Sequence, residues 1–124
     1  MQALIVEDDL PLQSFYHQVL QQYDFDVHIA VDGQQAIAKL HNIRPSLIIL
    51  DIRLPYVDGT HILDYIAEDD CLRKAFVLIA SASQEFEQEV SKVANATFLL
   101  KPVLPDQIHE IVQLLQEHGE IDCD

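Results

Sequence analysis

The chain has 124 residues, enough for one domain with a buried core, and it contains no apolar run near the roughly 20 residues that a membrane-spanning helix needs. Its 21 acidic against 7 basic side chains give a formal net charge of −14. No basic stripe is left to meet a nucleic-acid backbone, and an anionic membrane surface would repel the chain for the same reason.

Short apolar runs alternate with amphipathic stretches five times along the chain. Ala3-Leu4-Ile5-Val6, within a strand expected at 2–6, runs directly into Glu7-Asp8-Asp9, and a helix is expected at 10–23. A strand at 26–30 and a helix at 33–42 lead to Leu47-Ile48-Ile49-Leu50-Asp51, in a strand at 46–51. That run lacks polar alternation, as a parallel strand buried on both faces should, and it closes on a carboxylate. The turn Leu54-Pro55-Tyr56-Val57-Asp58-Gly59 then opens a helix at 59–68. A fourth strand at 76–80 is followed by Ser81 and a helical stretch at 84–94, and a fifth at 97–100 by Lys101-Pro102.

In the last helix, at 105–118, Ile108, Ile111, Val112, Leu114 and Leu115 recur at helical spacing and should face the sheet. Pro105 at its start and Gly119 beyond its end are ordinary helix punctuation. The division expected is a domain at 1–118 and a short acidic tail at 119–124. Strand–helix alternation with short connections implies an α/β fold with a parallel sheet, right-handed crossovers and helices on both faces.

Met1-Gln2-Ala3-Leu4 lacks the basic region of a secretory signal, so a cytoplasmic location is expected. Cys71 and Cys123 show no zinc or C-x-x-C spacing and read as free thiols in a reducing compartment. The six histidines stand singly and read as surface or half-buried residues.

Ligands of open α/β sheets collect outside the carboxyl ends of the strands. Asp51 alone at such an end could simply cap the next turn. A second acidic group, Glu7-Asp8-Asp9, at the end of another strand predicts a cluster of carboxylates at one edge of the sheet.

Four motifs follow the ends of strands one, three, four and five: Ile5-Val6-Glu7-Asp8-Asp9; Leu50-Asp51-Ile52-Arg53-Leu54-Pro55 with Asp58-Gly59; Ala80-Ser81-Ala82; and Phe98-Leu99-Leu100-Lys101-Pro102. In that order they resemble the receiver domain of two-component response regulators, over essentially the whole chain and of the stand-alone type. The resemblance implies a flavodoxin-like strand order, 2-1-3-4-5, in which strands one and three are neighbours at the topological switch point. Glu7, Asp8 and Asp51 then come within reach of one another. Three carboxylates so close cannot all ionise without a counter-charge; they share protons or hold a hard divalent cation, Mg²⁺ by preference.

On this reading Asp51 is the nucleophile and phosphorylation site, Lys101 neutralises phosphoryl charge, and the Ser81 hydroxyl donates to a phosphoryl oxygen. The resemblance further implies that Asp8 and Asp51 bind metal directly, that Glu7 acts through water, and that Arg53 supplies a backbone carbonyl. It makes Phe98 the aromatic switch position, puts Arg53 and Ser83 at the cleft mouth, and makes the bond before Pro102 cis. The phosphodonor implied is a histidine kinase or a histidine phosphotransfer protein, with a changed protein-binding surface as the output. The chain would not be an enzyme in the usual sense, although it would catalyse its own phosphoryl transfer and slow autodephosphorylation.

The span from Ser81 to Lys101 is shorter than in typical receivers, and Asn95-Ala96 stands where Gly-Ala is common, so the fourth helix should be short or shifted. Two rival readings remain. One is a pseudo-receiver that binds partners without taking phosphate, which missing acids or lysine would favour. The other is a small phosphatase with an aspartyl nucleophile, which calls for Asp-x-Asp after the first strand, a pattern that Glu7-Asp8-Asp9 does not match.

Overall fold

The computed structural model describes residues 1–53 and 58–118. Five parallel strands, β1 (Gln2–Val6), β2 (Asp26–Ala30), β3 (Leu47–Asp51), β4 (Phe76–Ser81) and β5 (Ala96–Leu100), form one sheet in the order β2-β1-β3-β4-β5. The helices are α1 (Leu10–Leu20), α2 (Gly33–Asn42), α3 (Gly59–Glu68) and α4 (Pro105–His118), and the β4–β5 crossover is a 3₁₀ segment, Gln84–Lys92. This is the flavodoxin-like order that the resemblance implies. The turn at 54–57 and the tail at 119–124, with Gly119 and Cys123, lie outside the described residues.

Successive strand residues point to opposite faces, and each face of the sheet has its own core. Leu4, Val6, Ile48, Leu50, Val77 and Ile79 pack with Leu40 of α2 and Ile62, Leu63 and Ile66 of α3. Ala3, Ile5, Ile49 and Leu78 pack with Tyr16, Val19 and Leu20 of α1 and with Ile108, Ile111, Val112 and Leu115 of α4. β3 and β4 are buried along their whole length, as central parallel strands must be. Leu114, expected to face the sheet, is 47% exposed instead, because it falls just outside the stripe that Ile108, Ile111, Val112 and Leu115 present.

Aspartates start three of the helices. Asp9 Oδ2 accepts from Leu12 N at 3.0 Å, Asp32 Oδ1 from Gln35 N at 2.8 Å and Asp58 Oδ1 from Thr60 N at 3.0 Å. Each satisfies an amide that the first turn leaves without an intrahelical partner.

The fourth crossover, expected as a short or shifted helix, starts at the expected residue and is 3₁₀ rather than α-helical. Runs of 3₁₀ helix beyond three or four residues are uncommon, and this one spans 9 residues with none fully buried. Only Phe86 and Val90 anchor it to the core, and Lys92 ties it down through Asp64 at 2.9 Å and Glu89 at 2.6 Å. Two apolar anchors are too few to make a continuous buried α-helical face. A further expectation is overturned: Cys71 is disulfide-bonded, not a free thiol. Pairing depends on how closely two Cα atoms approach, which sequence spacing does not reveal.

α3 begins close against the end of β3. Gly59 N donates to Ile52 O at 2.8 Å, and a Cβ on Gly59 would lie 2.6 Å from Ile52 Cα and 2.8 Å from its carbonyl oxygen. Backbone cannot yield as a flexible side chain would. Gly59→Ala should therefore destabilise the fold by roughly 1–3 kcal/mol, as overpacking does. A lower urea midpoint at unchanged m-value would show it; an unmoved midpoint would mean that α3 shifts without cost.

Candidate functional site

The strand order brings the sequence-identified residues to one edge of the sheet. β1 runs out into Glu7 and Asp8, β3 ends at Asp51, β4 ends at Ser81, and Lys101 follows β5. Asp51 pairs in register with Ala80, and Ser81 with Leu100. The backbone around these positions is tied from both sides: Glu7 N donates to Ala30 O at 3.0 Å, and Lys101 N donates to Ser81 O at 2.8 Å. The Lys101–Pro102 bond is cis, as the resemblance implies.

Carboxylate oxygens of Glu7, Asp8 and Asp51 all lie within 4.8 Å of one another. The cluster is graded in depth: Glu7 is 1% exposed, Asp51 7%, and Asp8 is open to solvent. Lys101 Nζ sits 3.4 Å from Glu7 Oε1 and 3.3 Å from Asp51 Oδ2. Asp51 Oδ1 accepts from Arg53 N at 3.1 Å, and Ser81 Oγ accepts from Ser83 N at 3.1 Å. Asp9, third in the acidic run, faces its own helix as a cap and only lends its N–H to Glu7 Oε2, at 3.3 Å.

Burial, followed by the hydrogen bond and negative charge of Asp51, pushes the Glu7 carboxyl from 4.5 up to about 8; Lys101 and the Asp9 N–H pull the other way. Burial works against the Lys101 ammonium, but the charges of Asp51 and Glu7 outweigh it and hold its pKa above the usual lysine value. Near neutrality the metal-free site therefore keeps a proton on Glu7 beside a charged Lys101. The donor set is all oxygen, without sulfur or imidazole, and three carboxylates face one ammonium. That chemistry fits a hard divalent cation.

The remaining candidates sit around this cluster. The Arg53 guanidinium turns away from Asp51, pairs with Glu85 and lies over the Phe86 ring, 5.3 Å from its centroid. It thus joins the β3 end to the 3₁₀ segment. Ser83 Oγ caps that segment by accepting from Glu85 N at 3.2 Å. Phe98 is half-buried opposite Ile79 and packs against the same core as Phe86 and Val90.

Sequence reasoning missed two residues of α1. Gln13 is buried and donates from Nε2 to Glu7 O at 2.6 Å, fixing the backbone that carries the deepest acid. Tyr16, one turn further along, is 1% exposed, and its hydroxyl has no hydrogen-bond partner among the described residues. Burial, with the charges of Glu7 and Asp51, keeps that phenol neutral. The available signal was a polar Gln at helical spacing with apolar residues that face the sheet.

The Glu7 shift has a consequence for stability. Unfolded, Glu7 ionises near 4.5; folded, it keeps its proton to about 8. Between those values the folded state binds more protons, so stability falls as pH rises. Metal-free protein should lose unfolding free energy between about pH 5 and 8, and Glu7→Gln should flatten that slope. Urea titrations across the range measure it; a slope that persists in the variant would mean another group is responsible.

The profile of the response regulator receiver domain matches residues 3–113. The transcriptional regulatory protein TrcR of Mycobacterium tuberculosis is 37% identical over 83 residues, 67% of this chain and 32% of that protein. The chemotaxis protein CheY of Listeria monocytogenes is 26% identical over 114 residues, 91% of this chain and 96% of that one. The receiver domain of a sensor histidine kinase from Pseudomonas aeruginosa, solved with a magnesium ion coordinated in its active site cleft, superposes with a TM-score of 0.80 at 25% identity, covering 92% of this chain and 95% of that one. The chain thus spans about a third of the first relative and nearly all of the second. A profile match of that extent, on this sheet topology, makes the chain a member of the response regulator receiver domain family.

Proposed function

We propose that the chain is a phosphoacceptor of two-component or phosphorelay signalling, taking a phosphoryl group on Asp51 from a histidine of a kinase or phosphotransfer protein. The observation that carries this reading is Lys101 Nζ lying 3.3 Å from Asp51 Oδ2 and 3.4 Å from Glu7 Oε1, a cation already in place where phosphoryl charge would arrive. An Asp51 carboxylate oxygen attacks phosphorus, the P–N bond of the phosphohistidine breaks with its electrons returning to the imidazole, and a mixed anhydride forms on Asp51. Such transfer needs positioning and charge neutralisation more than further covalent help.

Glu7, Asp8, Asp51 and the Arg53 backbone carbonyl would hold a Mg²⁺ ion, whose charge would offset that of the carboxylates and of the phosphoryl oxygens. The magnesium-bound Pseudomonas relative supports that choice of ion. Lys101 supplies the second cation. Ser81 uses its oxygen to accept from Ser83 N, which leaves the hydroxyl proton for a phosphoryl oxygen. Phe98 beside Ile79 is the aromatic whose position would follow Ser81, and the output would be a changed protein-binding surface.

The chain would turn over no separate substrate; it would catalyse its own phosphorylation and slow autodephosphorylation. With 21 acids against 7 bases it suits neither nucleic acid nor an anionic membrane. Among the described residues no helix is long and apolar enough to cross a membrane, and the cytoplasm is the compartment proposed. A pseudo-receiver is disfavoured because the acids and the lysine are present and converge. A phosphatase of the Asp-x-Asp type is disfavoured because β1 is followed by Glu7-Asp8-Asp9.

Intact mass after exposure to a small acyl phosphate tests the class. A phosphate adduct should form with Mg²⁺, fail without it, and vanish in Asp51→Asn and in the double variant Glu7→Ala, Asp8→Ala. Full phosphorylation of the double variant would remove the metal-site argument. Arg53 should govern the lifetime of the adduct more than its formation, since its side chain closes against Glu85 and Phe86 while only its backbone faces Asp51. Arg53→Ala should still be phosphorylated but decay at a rate changed several-fold, on the order of 1 kcal/mol in barrier. Decay equal to the parent at matched Mg²⁺ would reduce the guanidinium to a surface group.

A further inference from the structure

Three of the seven basic side chains, Arg73, Lys74 and Lys92, line one cavity of about 430 Å³ together with Ala67, Ala94 and Asn95. Among the described residues no carboxylate lines it, although acids outnumber bases by 21 to 7 along the chain. Lys74 precedes β4 and Asn95 precedes β5, whereas Asp51, Ser81 and Lys101 stand at the other ends of the strands. The cavity is therefore separate from the acid cluster, at the opposite edge of the sheet.

The three cations differ in how far they are committed. Lys92 bridges Asp64 and Glu89, and hydrogen bonds to those two carboxylates hold its pKa above the usual value, so its charge is fixed in place. Arg73 touches Asp70 at 3.5 Å with 57% and 94% of the two side chains exposed, a pair weak enough to be displaced. Lys74 has no ion-pair partner among the described residues. Asn95 Nδ2 donates to Lys74 O at 3.1 Å, which orients the amide and leaves its Oδ1 as an acceptor toward a ligand. Cations near the end of α3 also favour its dipole, but that effect does not call for three of them around a cavity.

We propose that this cavity binds a phosphate monoester dianion of mononucleotide size. A guanidinium fork beside a point-charge ammonium matches the geometry and charge of a terminal phosphate. Ala67 and Ala94 provide apolar wall, and Asn95 Oδ1 accepts from a sugar hydroxyl or base amine. The volume lies in the range of small-ligand sites.

The test is an NMR titration of the full chain in metal-free buffer, following backbone amides and the Asn95 side-chain amide. The probes are adenosine 5′-monophosphate, inorganic phosphate and uncharged adenosine. The monophosphate should give saturable shifts at Lys74 and Asn95, and adenosine should not. Inorganic phosphate binding more weakly than the monophosphate assigns the site to an ester; equal binding assigns it to free phosphate. Arg73→Gln with Lys74→Gln should weaken binding by about tenfold or more, the size of a lost charge-assisted contact. Lys39→Gln, which removes a charge elsewhere, should not. The proposal is overturned by an absence of saturable shifts at millimolar monophosphate, by binding that survives the double variant, or by adenosine binding as tightly.

Discussion

The position of one ammonium group organises this end of the molecule. Glu7 is almost wholly buried and Asp51 nearly so, and two carboxyl groups so placed need both the proton that Glu7 keeps near neutrality and a positive charge beside them. Lys101 provides that charge, reaching both acids from the strand end beyond Ser81. Its own placement depends on the backbone that follows β5, where its N–H donates to Ser81 O at 2.8 Å. β1, β3, β4 and β5 are thereby linked through one charge cluster at the edge where their strands stop.

That cluster uses only a small part of the acidity. Asp9, Asp32 and Asp58 start helices, Asp69 Oδ1 accepts from Cys71 N and Leu72 N at 2.9 Å each, and Asp64 and Glu89 hold Lys92. A net charge of −14 is thus a poor guide to the site. What distinguishes Glu7 and Asp51 from the other acids is burial at the end of an apolar strand.

That distinction also explains what was legible in the sequence. Unbroken runs such as Leu47–Leu50 announce central parallel strands, and the acids that close two such runs, at Glu7 and Asp51, predict a carboxylate cluster at the sheet edge; that Ser81 and Lys101 join it came from the four motifs and the family resemblance they carry. The four crossovers and the closing helix followed from the alternation of strands with helical stretches, although the fourth crossover folds as 3₁₀. Contacts between residues distant in sequence left no such trace. Arg53 and Glu85 are 32 positions apart, and nothing local in either names the other. The spacing of the cysteines likewise gave no sign that Cys71 is disulfide-bonded. Gln13 was overlooked because its amide looks like any polar residue on a helix until Glu7 O is seen 2.6 Å away.

The 3₁₀ form of Gln84–Lys92 ties these observations to the site. Its first turn is attached at two points: Ser83 N donates to Ser81 Oγ, and Glu85 pairs with Arg53. Both attachments lead back to residues at the acid cluster, one through β4 and the other through the loop after Asp51. Further along, Phe86 and Val90 rest on the core and Lys92 holds α3 through Asp64. Because no residue of the segment is fully buried, little apolar area opposes its rearrangement. A phosphoryl group on Asp51 that drew the Ser81 side chain toward itself would move Oγ relative to the Ser83 N–H from which it accepts. The crossover without a fully buried residue is therefore also the one whose start is held by the site.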